Sequence, residues 1–70
     1  MSDQLMTWVE AHLPGYKEAG ADFVVVFKHR KDDTLRFVSG FETWHKYNEA
    51  RKYWLNEGYV VSRFFDLDLI

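Results

Sequence analysis

Residues 3–13 carry a mostly apolar stripe at helical spacing, which predicts an amphipathic first helix. The stripe recurs every three or four positions and comprises Leu5, Trp8, Val9, His12 and Leu13. Ser2 or Asp3 is the expected N-cap, because a short polar side chain accepts hydrogen bonds from the free backbone N–H groups of the first turn. Pro14-Gly15 predicts the end of this helix, and a loop is expected to follow it.

A second helix is predicted from about Glu42 to Glu57, ending at Gly58, a residue type common just after a helix C-terminus. At about 100° per residue, one sector of this helix collects Trp44, Tyr47, Ala50, Trp54 and Leu55. Most charged residues lie opposite, so the pattern favours a helix facing the core over an exposed platform for stacking nucleic-acid bases. Tyr53 projects away from the apolar sector and is therefore a candidate contact residue.

Three segments rich in β-branched and aromatic residues predict strands, at about 23–30, 34–40 and 59–70. A three-residue loop, Asp32 to Thr34, would pair His29 with Phe37 and Lys31 with Leu35. This register would collect Phe23, Val25, Phe27, Leu35 and Phe37 on one face. Gly40 is expected to break the second strand. In the last strand the odd-numbered residues, with the exception of Arg63, are expected to share a face.

The order α-β-β-α-β predicts one small α+β domain with two helices and a three-stranded sheet of strand order 2-1-3. A right-handed crossover through the second helix would place the third strand parallel to the second. Both helices are expected on the sheet face formed by the odd residues. The even face is also partly apolar, through residues such as Val24, Val26 and Val38, so either the first helix or a second molecule must cover it.

Composition limits the available functions. The chain has 70 residues and no cysteine, so a disulfide is impossible and the aromatic residues must supply much of the core. No apolar run approaches the ~20 residues of a membrane-spanning helix. The acidic N-terminal stretch does not resemble a signal peptide, and a cytoplasmic location is expected. No metal spacing links the three histidines and no motif activates a nucleophile, so no catalytic site, cofactor or metal is predicted.

Charge leaves two binding hypotheses. The net charge of −2 argues against a general nucleic-acid binder, yet the predicted hairpin concentrates Lys28, His29, Arg30, Lys31 and Arg36. The leading prediction is a small non-enzymatic protein-binding module, of a phage or bacterial inhibitor or adaptor type, that docks a protein partner or self-associates. The alternative is a nucleic-acid-binding domain that uses the basic hairpin, residues 28–36. The predicted partner-binding residues are Arg30, Lys31, Arg36, Tyr53, Arg63 and Phe64.

Overall fold

The most apolar strand, β1 (Phe23–His29), lies at the centre of a three-stranded antiparallel sheet in a computed structural model that describes residues 3–70. It follows helix α1 (Gln4–Glu18) and pairs on one side with β2 (Arg36–Phe41). Helix α2 (Trp44–Asn56) connects β2 to β3 (Tyr59–Asp66), which pairs with the other side of β1. A short 3-10 helix, Leu67–Leu69, follows. The predicted α+β class, element order and strand order 2-1-3 are confirmed.

The two helices cover opposite faces of this sheet. Val9 and Leu13 of α1 pack with Val24, Val26 and Leu67 on one face. On the other face, Tyr47 of α2 packs with Val25, Phe27 and Phe41. The expectation that both helices share the odd face is therefore wrong, and the alternative that α1 covers the even face is correct. Four consecutive residues of β1, Val24 to Phe27, are buried because apolar groups cover both sides of the strand.

Helix α1 continues past the predicted stop at Pro14-Gly15 and ends at Glu18. Pro14 lies on the exposed side, while Leu13 and Tyr16 pack on the sheet on either side of it along the chain. This packing offsets the backbone hydrogen bond that proline cannot donate. Asp3 is the N-cap and accepts from the backbone N–H groups of Leu5 and Met6; Ser2 lies outside the described residues.

The predicted apolar stripe of α1 is partly wrong, because Trp8 and His12 are exposed. Their rings stack on each other with centroids 4.0 Å apart, and His12 Nδ1 lies 2.7 Å from the carbonyl oxygen of Trp8. The face that packs on the sheet consists instead of Leu5, Val9, Leu13 and Tyr16. These positions follow the spacing of a helix that remains continuous through Pro14.

The β1–β2 register differs by two residues from the predicted one, because Phe27 rather than His29 pairs with Phe37. A shift of two keeps every side chain on its face, so the predicted grouping of Phe27 with Phe37 remains correct. Leu35 lies outside β2 and is exposed. The connection is longer than expected, and the Asp32 carboxylate accepts from the N–H and hydroxyl of Thr34 within it. These hydrogen bonds, led by the one from the hydroxyl, lower the pKa of Asp32.

The expectation that Gly40 breaks the second strand is wrong, because Gly40 lies inside β2. A Cβ atom at this position would lie 2.9 Å from the Tyr16 ring of α1. The glycine therefore allows α1 to approach the sheet backbone closely.

Strand β3 contains a bulge that reverses its side-chain alternation. Val26 pairs with Arg63 but the next residue of β1, Phe27, pairs with Val61, so Ser62 is left without a partner in β1. Before the bulge, Tyr59 and Val61 pack on the α2 side. After it, Phe65 and Leu67 pack on the α1 side. The prediction that the odd residues from 59 to 69 share one face is therefore wrong beyond Val61. The strand also ends earlier than predicted, at Asp66.

Helix α2 has nearly the predicted bounds. Thr43 caps its start by accepting from the backbone N–H of Lys46 at 3.1 Å, and Gly58 follows its end with a φ of 94°. Tyr47, Ala50 and Trp54 face the sheet, as predicted. Trp44 and Leu55 do not: both are about half exposed. Trp44 is the first residue of the helix and only borders the apolar cluster.

Replacing Gly58 should destabilise the fold. Its left-handed φ of 94° strains any residue with a Cβ, and that atom would lie 2.7 Å from His29 Nε2. We expect Gly58→Ala to lower the free energy of unfolding by about 1–3 kcal/mol in urea denaturation. Gly15→Ala is the matched control, because nothing lies within 4 Å of its Cβ position. That variant should gain about 0.5–1 kcal/mol, since alanine favours a helix interior. Equal effects of the two substitutions would contradict this account.

Deleting Ser62 should prevent stable folding. Without the extra residue, Phe65 and Leu67 would be turned away from α1, and Leu67 is almost completely buried. A fully buried side chain of this kind contributes about 1.5–3 kcal/mol, so the loss of both would remove most of the ~3–5 kcal/mol available to a core of this size. We expect the deletion variant to lose cooperative thermal unfolding by circular dichroism. Ser62→Ala keeps the bulge and should unfold like the parent chain; a stable deletion variant would show that the bulge is dispensable.

Candidate binding surface

The outer edge of β3 is open, since no strand within residues 3–70 pairs with it. The backbone N–H of Leu67 donates to Asp22, and that of Arg30 donates to the carbonyl of Gly58. Backbone groups alternate in direction along an antiparallel strand. Arg63 and Phe65 therefore direct their N–H and C=O groups towards β1, while those of Phe64 point away from the sheet. This edge offers free donors and acceptors to another strand.

An aromatic pair borders the open edge on the α2 side. Phe64 is 39% exposed and Trp44 is 56% exposed, and their ring centroids lie 6.2 Å apart. The Phe64 ring also lies 5.3 Å from that of Phe23 and 5.5 Å from that of Tyr47. Tyr47 is buried, so both exposed rings pack against a side chain of the core.

Arg63 borders the same edge on the opposite, α1 side. Its guanidinium lies 5.2 Å from the centroid of the Phe65 ring, in cation–π range. No carboxylate within residues 3–70 forms an ion pair with it at 4.0 Å or less. Arg63 and Phe64 are therefore neighbours in sequence that present a cation and a ring on opposite faces of one strand.

The basic hairpin is less cationic than its sequence indicates. Lys28 Nζ lies 3.3 Å from an oxygen of Asp33, and Arg36 donates to Asp3 at 2.8 Å. Arg36 thereby joins β2 to the N-cap of α1, which makes it a structural link. Arg30 and Lys31 are exposed and have no carboxylate partner in the part of the chain that the structure describes. They keep the full charge available to a partner.

Tyr53 is exposed as predicted, and its ring meets that of Trp54 edge-on at 4.8 Å. It lies nine residues after Trp44 on α2, which corresponds to about 14 Å along the helix axis. The six predicted residues thus occupy separate places: Arg63 and Phe64 at the β3 edge, Arg30 and Lys31 at the hairpin, Arg36 against α1, and Tyr53 near the end of α2. The structure does not unite them in one site.

Two exposed aromatic features were not among the predicted site residues. The sequence predicts Trp44 in the core, because helical periodicity gives an angular sector but not the point where the sheet beneath it ends. On α1, a shallow groove of about 340 Å³ is lined by Trp8, His12, Gly15, Tyr16 and Ala19. The continuation of the helix through Pro14 creates this groove, and the prediction that the helix ends there concealed it.

Among the described residues, no group of three or more histidine or acidic side chains is placed to hold a metal ion. In the same part of the chain, no helix combines the length and apolarity that crossing a membrane requires. Comparisons with protein-family models, curated protein sequences and solved structures gave no match to this chain.

The Asp3–Arg36 pair predicts a pH dependence of stability. The hydrogen bond from Arg36 holds the pKa of the Asp3 carboxyl below its ordinary value of 3.8. A carboxyl whose pKa is lowered by folding stabilises the protein above its unfolded pKa, and this contribution disappears as pH falls through the folded pKa. Asp3→Asn keeps an N-capping side chain but removes the charge. We expect it to be less stable than the parent at pH 7, with a difference that shrinks below pH ~3.8.

Chemical denaturation of the parent, Asp3→Asn, Arg36→Gln and the double variant, from pH 7 to pH 2.5, would test this prediction. The two single variants should lose similar stability at neutral pH, and the double variant should lose little more than either one. Additive losses would mean that the two side chains act independently, and a pH-independent difference would rule out the charge of Asp3 as its cause.

Proposed function

We propose that this chain is a small protein-binding module that acts as an inhibitor or adaptor by docking a partner protein, without catalysis. One observation carries the proposal: the open backbone edge of β3 lies beside an exposed aromatic pair, Phe64 and Trp44, that rests on the core. A sheet edge supplies main-chain hydrogen bonds, and adjacent apolar side chains supply specificity. This combination is typical of domains that bind an extended peptide by strand addition.

The occupant that fits this surface is an extended segment of a partner protein, lying along β3 as a fourth strand. Its backbone would bond to the outward N–H and C=O groups of Phe64, and an apolar side chain on the α2 side would lie against the Phe64 and Trp44 rings. On the α1 side, the unpaired guanidinium of Arg63 favours an acidic or aromatic side chain. The preferred ligand is therefore a short extended peptide with an apolar residue flanked by an acidic one.

Fixed aromatic groups make this surface suitable for binding. The Phe64 ring is held by Phe23 and Tyr47, and Trp44 lies 5.1 Å from Tyr47. Ordering flexible side chains costs about 0.5–1.5 kcal/mol each on association. Rings that already contact the core lose less conformational freedom on binding, so more of the contact energy contributes to affinity.

A nucleic-acid-binding role for the hairpin is the second candidate, and the exposed, unpaired Arg30 and Lys31 favour it. Against it, Asp33 neutralises Lys28 and Asp3 engages Arg36. Two cations without a carboxylate partner can neutralise about two phosphates. Each neutralised phosphate adds about one unit to the slope of log K against log salt concentration, so this contact would be weak.

Selection of a random peptide display library on the immobilised chain, followed by NMR mapping, would test the proposal. Selected peptides should shift the amides of Phe64 and Asp66 and the indole of Trp44. Trp44→Gln should weaken binding by about tenfold or more, as expected for an aromatic hot spot. Tyr53→Gln, an exposed aromatic on the same helix, is the matched control and should bind normally.

Peptides that map to the hairpin, or that depend on Tyr53 and not on Trp44, would contradict the proposed surface. In parallel, titration with single-stranded and duplex DNA at two salt concentrations tests the second candidate. Binding that falls steeply with salt and is lost in an Arg30→Gln/Lys31→Gln variant would favour the nucleic-acid role over the protein-binding role.

A further inference from the structure

The two edges of the sheet differ in the residues that border them. At β2, Arg36 is held by Asp3, and the Tyr16 ring lies over Gly40. At β3, Ser62, Arg63 and Phe64 form a continuous exposed run. Charged residues and bulges are devices that block edge-to-edge pairing; here they act only on part of the strand. The bulge at Ser62 interrupts the first half of β3 and leaves a regularly paired segment from Arg63 to Asp66.

This regular segment is suited to pairing with itself in the antiparallel direction. It contains Phe64, whose backbone groups point outward. A twofold axis at Phe64 would place the two copies of Phe64 opposite each other as a hydrogen-bonded pair. Ser62 would then lie opposite Asp66 of the second copy, and Arg63 opposite Phe65. Residues directly opposite each other share a sheet face. In this register the Phe64 rings of both copies lie on the α2 side, and Arg63 and Phe65 of both copies lie on the α1 side.

Charge favours this register over the one with its twofold axis at Arg63. With the axis at Phe64, no like charges lie directly opposite each other, because Arg63 faces a Phe65 ring and Asp66 faces a serine hydroxyl. Arg63 already lies 5.2 Å from the Phe65 ring of its own chain, so the second copy would provide the same kind of contact across the strands. An axis at Arg63 would instead place two guanidinium groups face to face, which is destabilising.

We propose that the β3 edge is occupied by a second copy of this chain in the absence of a partner, giving a six-stranded sheet across a twofold axis at Phe64. The inference rests on the same edge as the proposed function and implies that a partner peptide must displace the second copy. The aromatic pairs of the two copies would meet on the α2 side of the sheet. Pairing of one short segment buries less than a standard interface of ~800 Å² per partner, so the dimer is expected to be weak and concentration-dependent.

Two single-cysteine variants test both the dimer and its register. The chain has no cysteine, so any disulfide in Ser62→Cys or Asp66→Cys joins two copies. In the proposed register, position 62 lies opposite position 66, whereas identical positions lie about 13 Å apart along the strand, beyond disulfide reach. A mixture of the two variants under mild oxidation should give the mixed disulfide in about tenfold excess over either homodimer. Tyr53→Cys is the control and should not cross-link.

Sedimentation velocity and amide exchange of the unmodified chain supply a test without substitutions. As concentration rises, the sedimentation coefficient should increase, and the amides of Phe64 and Asp66 should become slower to exchange. The amides of Arg63 and Phe65, which face β1, should not change. Trp44→Gln should raise the dissociation constant by about tenfold, while circular dichroism confirms that the variant is folded.

The outcomes separate this inference from the proposed function. A monomer at every concentration up to the millimolar range, or homodimer disulfides as abundant as mixed ones, would overturn the inference. Selected peptides binding to the β3 edge of such a monomer would leave the proposed function standing. Conversely, a dimer with the mixed disulfide, together with no selected peptide at the edge, would support the inference and count against the proposed function.

Discussion

Burial of β1 on both faces is the constraint on which this fold depends. Val24 to Phe27 are almost inaccessible to solvent, and consecutive strand residues point to opposite sides. A strand of this kind must be covered twice, so the chain places α1 on one side and α2 on the other. Within residues 3–70, two helices, two flanking strands and the short 3-10 helix surround β1. This arrangement leaves the outer edges of β2 and β3 as the places where the sheet ends.

The bulge in β3 links the core to the surface. The strand must supply Tyr59 and Val61 to the cluster under α2, and then Phe65 and Leu67 to the cluster under α1. All four positions are odd, so regular alternation would leave one cluster incomplete. One extra residue at Ser62 resolves the conflict. It also turns Phe64 towards α2, where the ring meets Trp44 at the edge of the sheet. The aromatic pair is thus a consequence of how the core is completed.

Periodicity predicted what depends on local pattern. It gave the element types and the inward side of α2 at Tyr47 and Trp54. Residue types gave Ser2 or Asp3 as the N-cap, Gly58 after α2, and the central position of the apolar β1. Where tertiary packing decides, these local signals gave wrong predictions. Pro14 is a strong local stop, but contacts of Leu13 and Tyr16 with the sheet maintain the helix. The bulge at Ser62 has no sequence signal, since neither glycine nor proline marks this part of the strand. The exposure of Trp44 depends on where the sheet ends, which residue spacing does not encode.

The predicted site residues divide in the same physical way. Exposure follows from periodicity, so Tyr53, Arg30 and Lys31 were correctly placed at the surface. Whether an exposed group is free depends on neighbours distant in sequence, and Arg36 is engaged by Asp3, 33 residues away. For Phe64 the prediction rested on the even face of a regular strand, whereas the bulge gives the residue a different neighbourhood. Its ring lies among Phe23, Trp44 and Tyr47, so its place beside Trp44 has a cause that the sequence did not contain.

In a chain of this size, leaving two large rings partly exposed has an energetic cost. A fully buried aromatic side chain contributes about 1.5–3 kcal/mol, a large share of the ~3–5 kcal/mol that a small core supplies. Scattered single exposed aromatics need no explanation, and Tyr53 fits that description. Phe64 and Trp44 are adjacent, rest on the core and border unpaired backbone groups. An added extended strand would pair with the free backbone groups of the edge and cover both rings at once. Its binding would therefore bury the aromatic surface that the isolated chain leaves exposed.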